Sequence, residues 1–564
     1  MTRFTNIIIG GGTAGCLLAN RLASDPTRRV LLVEGGGTNG YYPWFHVPIG
    51  YLYCIGNPRA DWMYRTAPCD GLHGRSLLYP RGKVLGGCSA INGMIYMRGQ
   101  SDDYNQWAAA VKDKTWSWDE MLPLFKRHEC HHAGATEFHG GNGELHVSKQ
   151  RLNWDLLDRF QDSVQEAGIP LSTDFNEGNN NGVGYFEVTQ RRGLRWSSRS
   201  AFIPKNFIRS HSNLVVKCNR TADHLVYYPS FHNRVAGIRL VDSDRAIASA
   251  ETSEEILLDS SDSRSEVILC AGAIGTPAIL LRSGIGPEKE LERLRMQSGS
   301  HNAHFQSRAI IPGVGQNLQD HLQIRTVFEI SGLNSLNSIA RQPFRAISAG
   351  LEYMVKQTGP LSMAPSQLGL FTNTSSSNKA SPNVEFHVQP LSLDAFGSPL
   401  HNFPAITVSV CNLNPTSRGS VTLPSLSPHD APIIQPNYLS TDEDRLVSAE
   451  SILLARRLAR ETSFGRHVTR EHFPGEEYRS SLGVEELAKA AGRIGTTIFH
   501  PSGTCKLGSD EDPTSVVDSQ LRLRGIEGVR IADASVMPTI TSGNTNAPTL
   551  VIAEKLAHMI KTTQ

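Results

Sequence analysis

The sequence contains no apolar run approaching the roughly 18 residues of a membrane-spanning helix, which sets aside an integral membrane protein. It has no excess of charge: 55 Lys plus Arg stand against 54 Asp plus Glu, a formal net charge of +1. Nothing in that balance recruits nucleic acid or an anionic membrane surface, although peripheral membrane contact stays open. Cysteine is scarce, with nine scattered residues and no C-x-x-C, so neither a disulfide framework nor a zinc ribbon is expected. The opening residues, Met1 to Asn6, run straight into a strand without the pattern of a secretory signal, and a cytoplasmic location is the expectation. No internal repeat is visible. Two N-x-S/T sequons, at Asn219 and Asn373, carry little meaning without a signal.

What is present describes a globular chain. Hydrophobic residues make up 39% and charged residues 19%, enough to build large cores. At about 150 residues per domain, the length suggests two to four domains. One cluster invites a metal: His128, Cys130, His131, His132, His139 and His146. It lies among Gly and short polar residues without regular ligand spacing, and a solvated loop with no bound metal is the expectation.

The opening stretch is the most regular. Asn6-Ile-Ile-Ile9 is a short apolar run closed by glycines, Ala14 to Leu22 carries apolar residues at helical spacing, and Val30-Leu-Leu-Val33 ends at Glu34. Strand, tight turn, helix and strand make one βαβ unit. From about 40 to 110 the chain is rich in Gly, Pro and aromatics, which suggests extended segments lying over a ligand. Val241 to Ser265 reads as a surface hairpin, Glu266 to Gly272 as a buried strand, Thr372 to Pro382 as a loop, Val529 to Asp533 as another strand, and Pro548 to Ile560 as a closing helix.

Within the βαβ unit sits Gly10-x-Gly12-x-x-Gly15. The first glycine permits the tight turn, the second lets a pyrophosphate approach the backbone, and the third lets helix pack on strand. The helix N-terminus offers unpaired N–H groups and a positive dipole to a diphosphate. Glu34 stands where a carboxylate accepts from ribose hydroxyls, and it would repel a 2′-phosphate. FAD and NAD are not distinguished by this motif.

Further along, Tyr79-Pro-Arg-Gly-Lys-Val-Leu-Gly-Gly-Cys-Ser-Ala-Ile-Asn-Gly-Met-Ile-Tyr-Met-Arg-Gly99 resembles a signature of the glucose–methanol–choline oxidoreductases. So do Gly272-Ala-Ile-Gly-Thr-Pro-Ala-Ile-Leu-Leu-Arg-Ser-Gly-Ile-Gly-Pro287, His500-Pro-Ser-Gly-Thr-Cys-Lys-Leu-Gly508, Ala532-Asp-Ala-Ser-Val-Met-Pro538 and Ser542-Gly-Asn-Thr-Asn-Ala-Pro548. The motifs stand in family order over nearly the whole chain. The resemblance implies a flavoprotein that binds FAD and oxidises alcohols. In covalent members a histidine within the second motif links the flavin; the matching position here is Ile91, so dissociable FAD is expected.

The resemblance also implies a site. The FAD diphosphate is expected at Gly10, Gly12, Thr13, Ala14 and Gly15, and its ribose at Glu34. Further cofactor contacts are expected from Trp62, Arg81, Gly82, Leu85, Gly86, Gly87, Asn92, Gly93, Met94, Ile95, Ala222, Asp533, Ala534, Asn544, Thr545 and Asn546. His500 matches the family's active-site histidine. An imidazole with an ordinary pKa near about 6.5 accepts the hydroxyl proton while the carbinol hydride passes to flavin N5, and an ionisation near neutrality is expected. Asn544 occupies a position held by His or Asn in the family, and its amide can donate to a developing alkoxide. Ile498 and Phe499 are expected to line the space above the flavin.

On the substrate side, choline-handling relatives carry Glu-x-Gly-x-Phe. This chain reads Gln367-Leu-Gly-Leu-Phe371, with Leu361, Met363 and Leu368 as an apolar wall. Gln has no charge to offset a buried cation, so the expected partner is a small neutral primary alcohol, with oxygen or a quinone or other carrier as electron acceptor. Alkane-utilisation alcohol dehydrogenases, similar in overall wording, carry the glutamate; the Gln-Leu-Gly form resembles hydroxymethylfurfural-oxidase-like members. Alternatives are a choline-type dehydrogenase, a flavin-bound lyase of the oxynitrilase type, and a fatty-acid photodecarboxylase, whose branch lacks the histidine kept here as His500.

The fold class implied is α/β: a doubly wound, Rossmann-like FAD domain from residues 1–153, 193–316 and 494–564. A substrate domain of antiparallel sheet and helices is expected from residues 154–192 and 317–493.

Overall fold

The run Asn6–Ile9 is the central strand of a five-stranded parallel sheet, and all four of its residues are buried. A computed structural model of the chain describes residues 3–38, 40, 42–246, 252–298, 305–394 and 398–562. The strand order in the sheet is Val529–Ile531, Glu266–Leu269, Asn6–Ile9, Val30–Val33 and Leu214–Lys217. Every pairing is parallel, with Ile8 opposite Ile268 on one side and Leu32 on the other. Inner parallel strands are covered on both faces, which is why Ile7 to Ile9, Val30 to Val33 and Val267 to Leu269 are consecutive buried apolar residues instead of alternating ones.

The helix Thr13–Ala23 returns across the sheet and packs against the closing helix Asn546–Thr562. A side chain at Gly15 would place its Cβ 1.9 Å from the carbonyl oxygen of Gly10, so helix and strand meet only because that position is glycine. The strands Val235–Asp242 and Glu254–Leu257 pair antiparallel from Gly237 to Leu240, so the hairpin starts ahead of the expected Val241 to Ser265 stretch; residues 247–251 lie outside the described residues.

A second, seven-stranded sheet is antiparallel. Its path runs Val468–Phe473, Leu322–Ile330, Ala405–Asn412, Val384–Gln389, Leu368–Thr372 and Gly182–Tyr185, and Gly495–Thr497 also pairs with Leu322–Ile330. Its outer face is closed by helices Asp155–Glu166 and Asp442–Arg460 around Phe160, Phe328, Phe386, Val408 and Leu458. The two sheets together give the α/β class with an antiparallel companion. Gly495–Thr497 falls in the nucleotide-binding part by sequence, yet it hydrogen-bonds to the antiparallel sheet, because the chain has not left that sheet when it enters the His500 loop.

Two local expectations fail. Residues 101–111 of the supposedly extended region form the helix Ser101–Val111, whose N-terminus is closed by reciprocal bonds of Gln100 and Asp103. The histidine cluster is no solvated loop either: His128, His131 and His139 are buried. Glu129–His131 and Leu145–Val147 pair as short strands. Glu129 bonds Arg98 at 2.9 Å, both fully buried, while His139 joins Glu129 to Asp174. The polar composition that suggested solvent is an internal network of ion pairs. Among the described residues, no helix is long and apolar enough to cross a membrane.

Candidate active site

The carboxyl ends of the parallel strands open into a cavity of about 520 Å³, lined also by loops from the antiparallel sheet. Open α/β sheets bind ligands in this position. Gly10, Gly12, Thr13, Ala14 and Glu34 line the cavity, as do Trp62, Arg81, Gly82, Gly87 and the Asn92-Gly-Met-Ile95 turn. Ala222, Asp533, Ala534, Asn544, Thr545, Asn546, Ile498, Phe499 and His500 also line it.

The remaining expected residues stand elsewhere. Gly15, in the first turn of the helix Thr13–Ala23, packs against the Gly10 carbonyl instead of lining the cavity. Leu85 and Gly86 sit behind the glycine loop, where the Gly86 N–H donates to the Gly11 carbonyl at 2.7 Å. Gln367 and Phe371 are fully buried outside the cavity. The Phe186 ring covers that face of their strand: a Cβ at Gly369 would meet it at 2.5 Å, and Phe371 packs with Ile95, Phe175 and Phe186. Met363 and Leu368 belong to the apolar core under the second sheet and form no cavity wall. The polar groups that do face the cavity from this side are Gln323, Ser366, His387 and Gln389, none of them foreseen. His387 and Gln389 stand two residues apart on Val384–Gln389, so alternation along that strand was the available signal.

His500 is held at both its backbone and its ring by two consecutive residues. Asp320 Oδ1 accepts from the His500 N–H at 2.8 Å. Its Oδ2 accepts from the hydroxyls of Tyr79, Thr497 and Tyr438. Next to it, His321 Nδ1 lies 3.0 Å from His500 Nδ1, and His321 Nε2 lies 3.2 Å from the Leu413 carbonyl oxygen. A carbonyl can only accept, so His321 carries its proton on Nε2. Burial holds His321 below its ordinary pKa and therefore neutral, leaving its Nδ1 bare. His500 must then supply the proton between the two Nδ1 atoms, and its own Nε2 is bare toward the cavity. There it accepts from Asn544 Nδ2 at 3.1 Å.

Burial, with His321, His387 and the Arg81 charge nearby, holds His500 well below its ordinary value. The ionisation expected near neutrality is thus displaced to acid. The preceding residue, Phe499, has φ of 71°, a left-handed conformation that a bulky residue adopts only under constraint. Constraint comes from the Phe499 N–H on Thr497 Oγ1 at 2.8 Å and from Arg81 Nη2 on the Phe499 carbonyl at 2.6 Å. Asn544 follows Ser542, whose N–H and hydroxyl both donate to Asp103 at 2.8 Å. Its Oδ1 is buried without a partner and is free to take one.

The cavity walls fit an elongated dinucleotide. The N-termini of three helices, Thr13–Ala23, Gly272–Arg282 and Asn546–Thr562, supply lining residues, and helix N-termini favour anions. Thr13 Oγ1 ties two of them together through Asn546 Oδ1 at 2.9 Å. A Cβ at Gly87 would come within 2.7 Å of Gly12 Cα, so the two glycine turns present bare backbone to the same space. Glu34 accepts from the N–H groups of Gly36 and Gly11 at 2.7 and 2.9 Å, and retains lone pairs toward the cavity. Burial nevertheless raises its pKa to about 7.

The family model of the GMC oxidoreductases matches residues 4–323 with its N-terminal part and residues 415–553 with its C-terminal part. The chain is 36% identical to an alcohol dehydrogenase [acceptor] of Pseudomonas putida over 98% of its length and 95% of that protein. It is 34% identical to the mitochondrial choline dehydrogenase of Mus musculus over 99% of its length and 89% of that protein. Among solved structures, pyridoxine 4-oxidase from Mesorbium loti superposes with a TM-score of 0.84 at 28% identity, covering 99% of both chains.

Proposed function

The chain belongs to the GMC oxidoreductase family, and from that premise we propose that it oxidises a neutral primary alcohol to the aldehyde with FAD bound non-covalently. The chain is an FAD-dependent oxidoreductase acting on alcohols. The observation that carries the finer reading is the pairing of a bare His500 Nε2 with the Asn544 amide at the cavity wall.

FAD would be held with its diphosphate against Gly10 to Ala14 and Asn546, its ribose at Glu34, and its ring against the Ile91 to Ile95 turn and the Asn544 loop. When bound, it supplies the hydride acceptor. His500 takes the hydroxyl proton at Nε2, with Nδ1–H anchored on His321 throughout. Asn544 Nδ2 donates to the substrate oxygen as negative charge develops there. With Ile91 where a linking histidine would stand, the cofactor lacks that covalent tether, and acid precipitation should release it to the supernatant.

Neutrality of the substrate is supported by the antiparallel sheet. The residues its strands contribute to the lining are Gln323, His387 and Gln389, none a carboxylate. The Glu385 carboxylate lies off the lining, 3.2 Å from His387 Nε2, so a quaternary ammonium buried there would meet no carboxylate directly, which is costly. Choline, on which the mouse relative acts by name, is therefore the second reading. Oxygen, a quinone or another carrier serves as acceptor.

The test is stopped-flow flavin reduction without oxygen, across aryl, furanic and aliphatic alcohols and choline, followed by reoxidation in air. Reduction by neutral alcohols with choline slow or inert is expected. Reduction by choline alone would favour the second reading, and no reduction by any alcohol would defeat both.

A further inference from the structure

The helix Pro343–Lys356 carries apolar residues at Phe344, Ile347, Leu351, Met354 and Val355, spacings that place all five on one face. In a surface helix that face ordinarily turns to the core. Here it turns to solvent: the five are 89%, 62%, 53%, 72% and 79% exposed. The opposite face holds the helix to the protein through buried Ala349 and Tyr353, whose hydroxyl donates to the Gly193 carbonyl at 3.0 Å. An outward apolar stripe on a firmly seated helix marks a surface that meets something apolar.

The charges around the stripe say what that is. Although the whole chain is nearly neutral, Arg341, Arg345 and Lys356 are exposed on the helix or at its entry. Arg151 is exposed beside its end, with its guanidinium on the carbonyls of Lys356 and Gln357. Exposed Arg192 adjoins the Gly193 that Tyr353 holds. Arg341 and Arg345 donate to neutral oxygens of Asn402 and Asn334. Glu352 is the single carboxylate on the helix, and it accepts from Thr358. A second copy of the chain would set this cationic rim against itself, whereas anionic headgroups complement it.

We propose that the Pro343–Lys356 helix seats the protein on an anionic lipid bilayer. Its five apolar side chains enter the acyl boundary, and Arg341, Arg345, Lys356 and Arg151 lie among the headgroups. The seat adjoins the cavity: the chain continues through the turn Pro360–Ser362 to Pro365 and Ser366, which line it. That turn packs on Pro48–Gly50, which leads into cavity-lining Tyr51. The surface role is independent of the alcohol chemistry.

The test is co-sedimentation of the holoenzyme with vesicles of phosphatidylcholine, alone or mixed with phosphatidylglycerol, at about 0.1 M and about 0.5 M salt. The parent should pellet with the mixed vesicles and less so at high salt. The double variant Phe344→Glu with Val355→Glu should bind at least about tenfold more weakly, and Arg341→Gln with Arg345→Gln and Lys356→Gln should lose the preference for phosphatidylglycerol. Both should reduce their flavin with alcohol at the parent rate, since all substituted positions are exposed. The proposal is overturned if the parent stays in the supernatant with mixed vesicles, or if the double glutamate variant binds as tightly as the parent. It is also overturned if the parent is a dimer without affinity for vesicles and the same variant is a monomer, because the stripe then meets a second copy.

Discussion

His321 and His500 face each other through their Nδ1 atoms, 3.0 Å apart, and this contact fixes which nitrogen of His500 is left to work. Asp320 and His321, adjacent in sequence, act on the same base in different ways. Asp320 fixes its backbone, and His321 fixes its tautomer.

Removing the base should separate chemistry from cofactor binding. His500→Ala should slow flavin reduction by about 10² to 10⁴-fold, the usual size of general-base catalysis, while FAD remains bound. Asn544→Ala should cost less, about 10 to 10³-fold, because one donor to a developing alkoxide is lost. Stopped-flow reduction and flavin content measure both. A His500→Ala enzyme that keeps its FAD and the parent rate would place the base elsewhere.

His321 should act only through His500, so its effect depends on whether the replacement can accept a hydrogen bond. His321→Leu removes the acceptor and should slow reduction by about 10 to 10²-fold with little change in the alcohol concentration at half-saturation. His321→Gln offers a carbonyl oxygen at similar reach and should recover most of the rate. Equal losses in the two variants would mean that His321 only fills space.

The pH profile of reduction follows from His500. Burial, with His321, His387 and the Arg81 charge beside it, depresses its pKa, so the bare Nε2 is present throughout the neutral range. The rate should be flat across neutrality and fall only in acid, well below about 6.5, as the ring protonates. His500→Ala should lack that limb. A parent limb centred at or above neutrality would contradict the buried, neutral histidine.

The βαβ unit from Asn6 to Val33 was legible because the hydrophobic period and the glycines answer to one local unit. His500 and Asn544 were legible through motifs that resemble a family's. His321, Gln323, His387 and Gln389 were not: alternation sets which residues of a strand share a face, but which face meets the cavity depends on cross-strand pairing, which is not written locally. Gln367 shows the reverse error. Its motif matched, but Phe186, which follows the strand Gly182–Tyr185, covers that face of the strand at Gly369, and Gln367 is fully buried off the cavity. The histidine cluster misleads for a related reason: its partners Arg98, Asp174 and Glu187 come from distant segments.

That cluster should contribute stability. Arg98 and Glu129 are both fully buried, and Glu129→Ala would leave the guanidinium without its counter-charge. A loss of about 3–5 kcal/mol is expected in urea unfolding, the size found when one partner of a buried pair is removed. The bonds to Asp174 and Glu129 overcome the burial of His139 and raise its pKa to about 9. A histidine raised in the folded state stabilises fully below its unfolded value of about 6.5, and that stability is lost as pH rises through about 9. Thermal unfolding from pH 6 to 10 should show the decline in the parent and a flatter profile in His139→Phe.

Glu34 yields the last prediction, for cofactor affinity. Burial raises its pKa to about 7 in the cofactor-free protein, so near neutral pH a large fraction of the carboxyl holds a proton. Ribose hydroxyls donate to the ionised form, so FAD binding must expel that proton. Affinity of the apoprotein for FAD should therefore rise as pH increases through about 7 and level off above it. Glu34→Gln cannot ionise. It should bind more weakly at alkaline pH, and its affinity should lose the pH dependence. Fluorescence titration of apoprotein with FAD at pH 6, 7 and 8 would decide. Parent affinity that is flat over this range, or that falls as pH rises, would remove Glu34 from the ribose site.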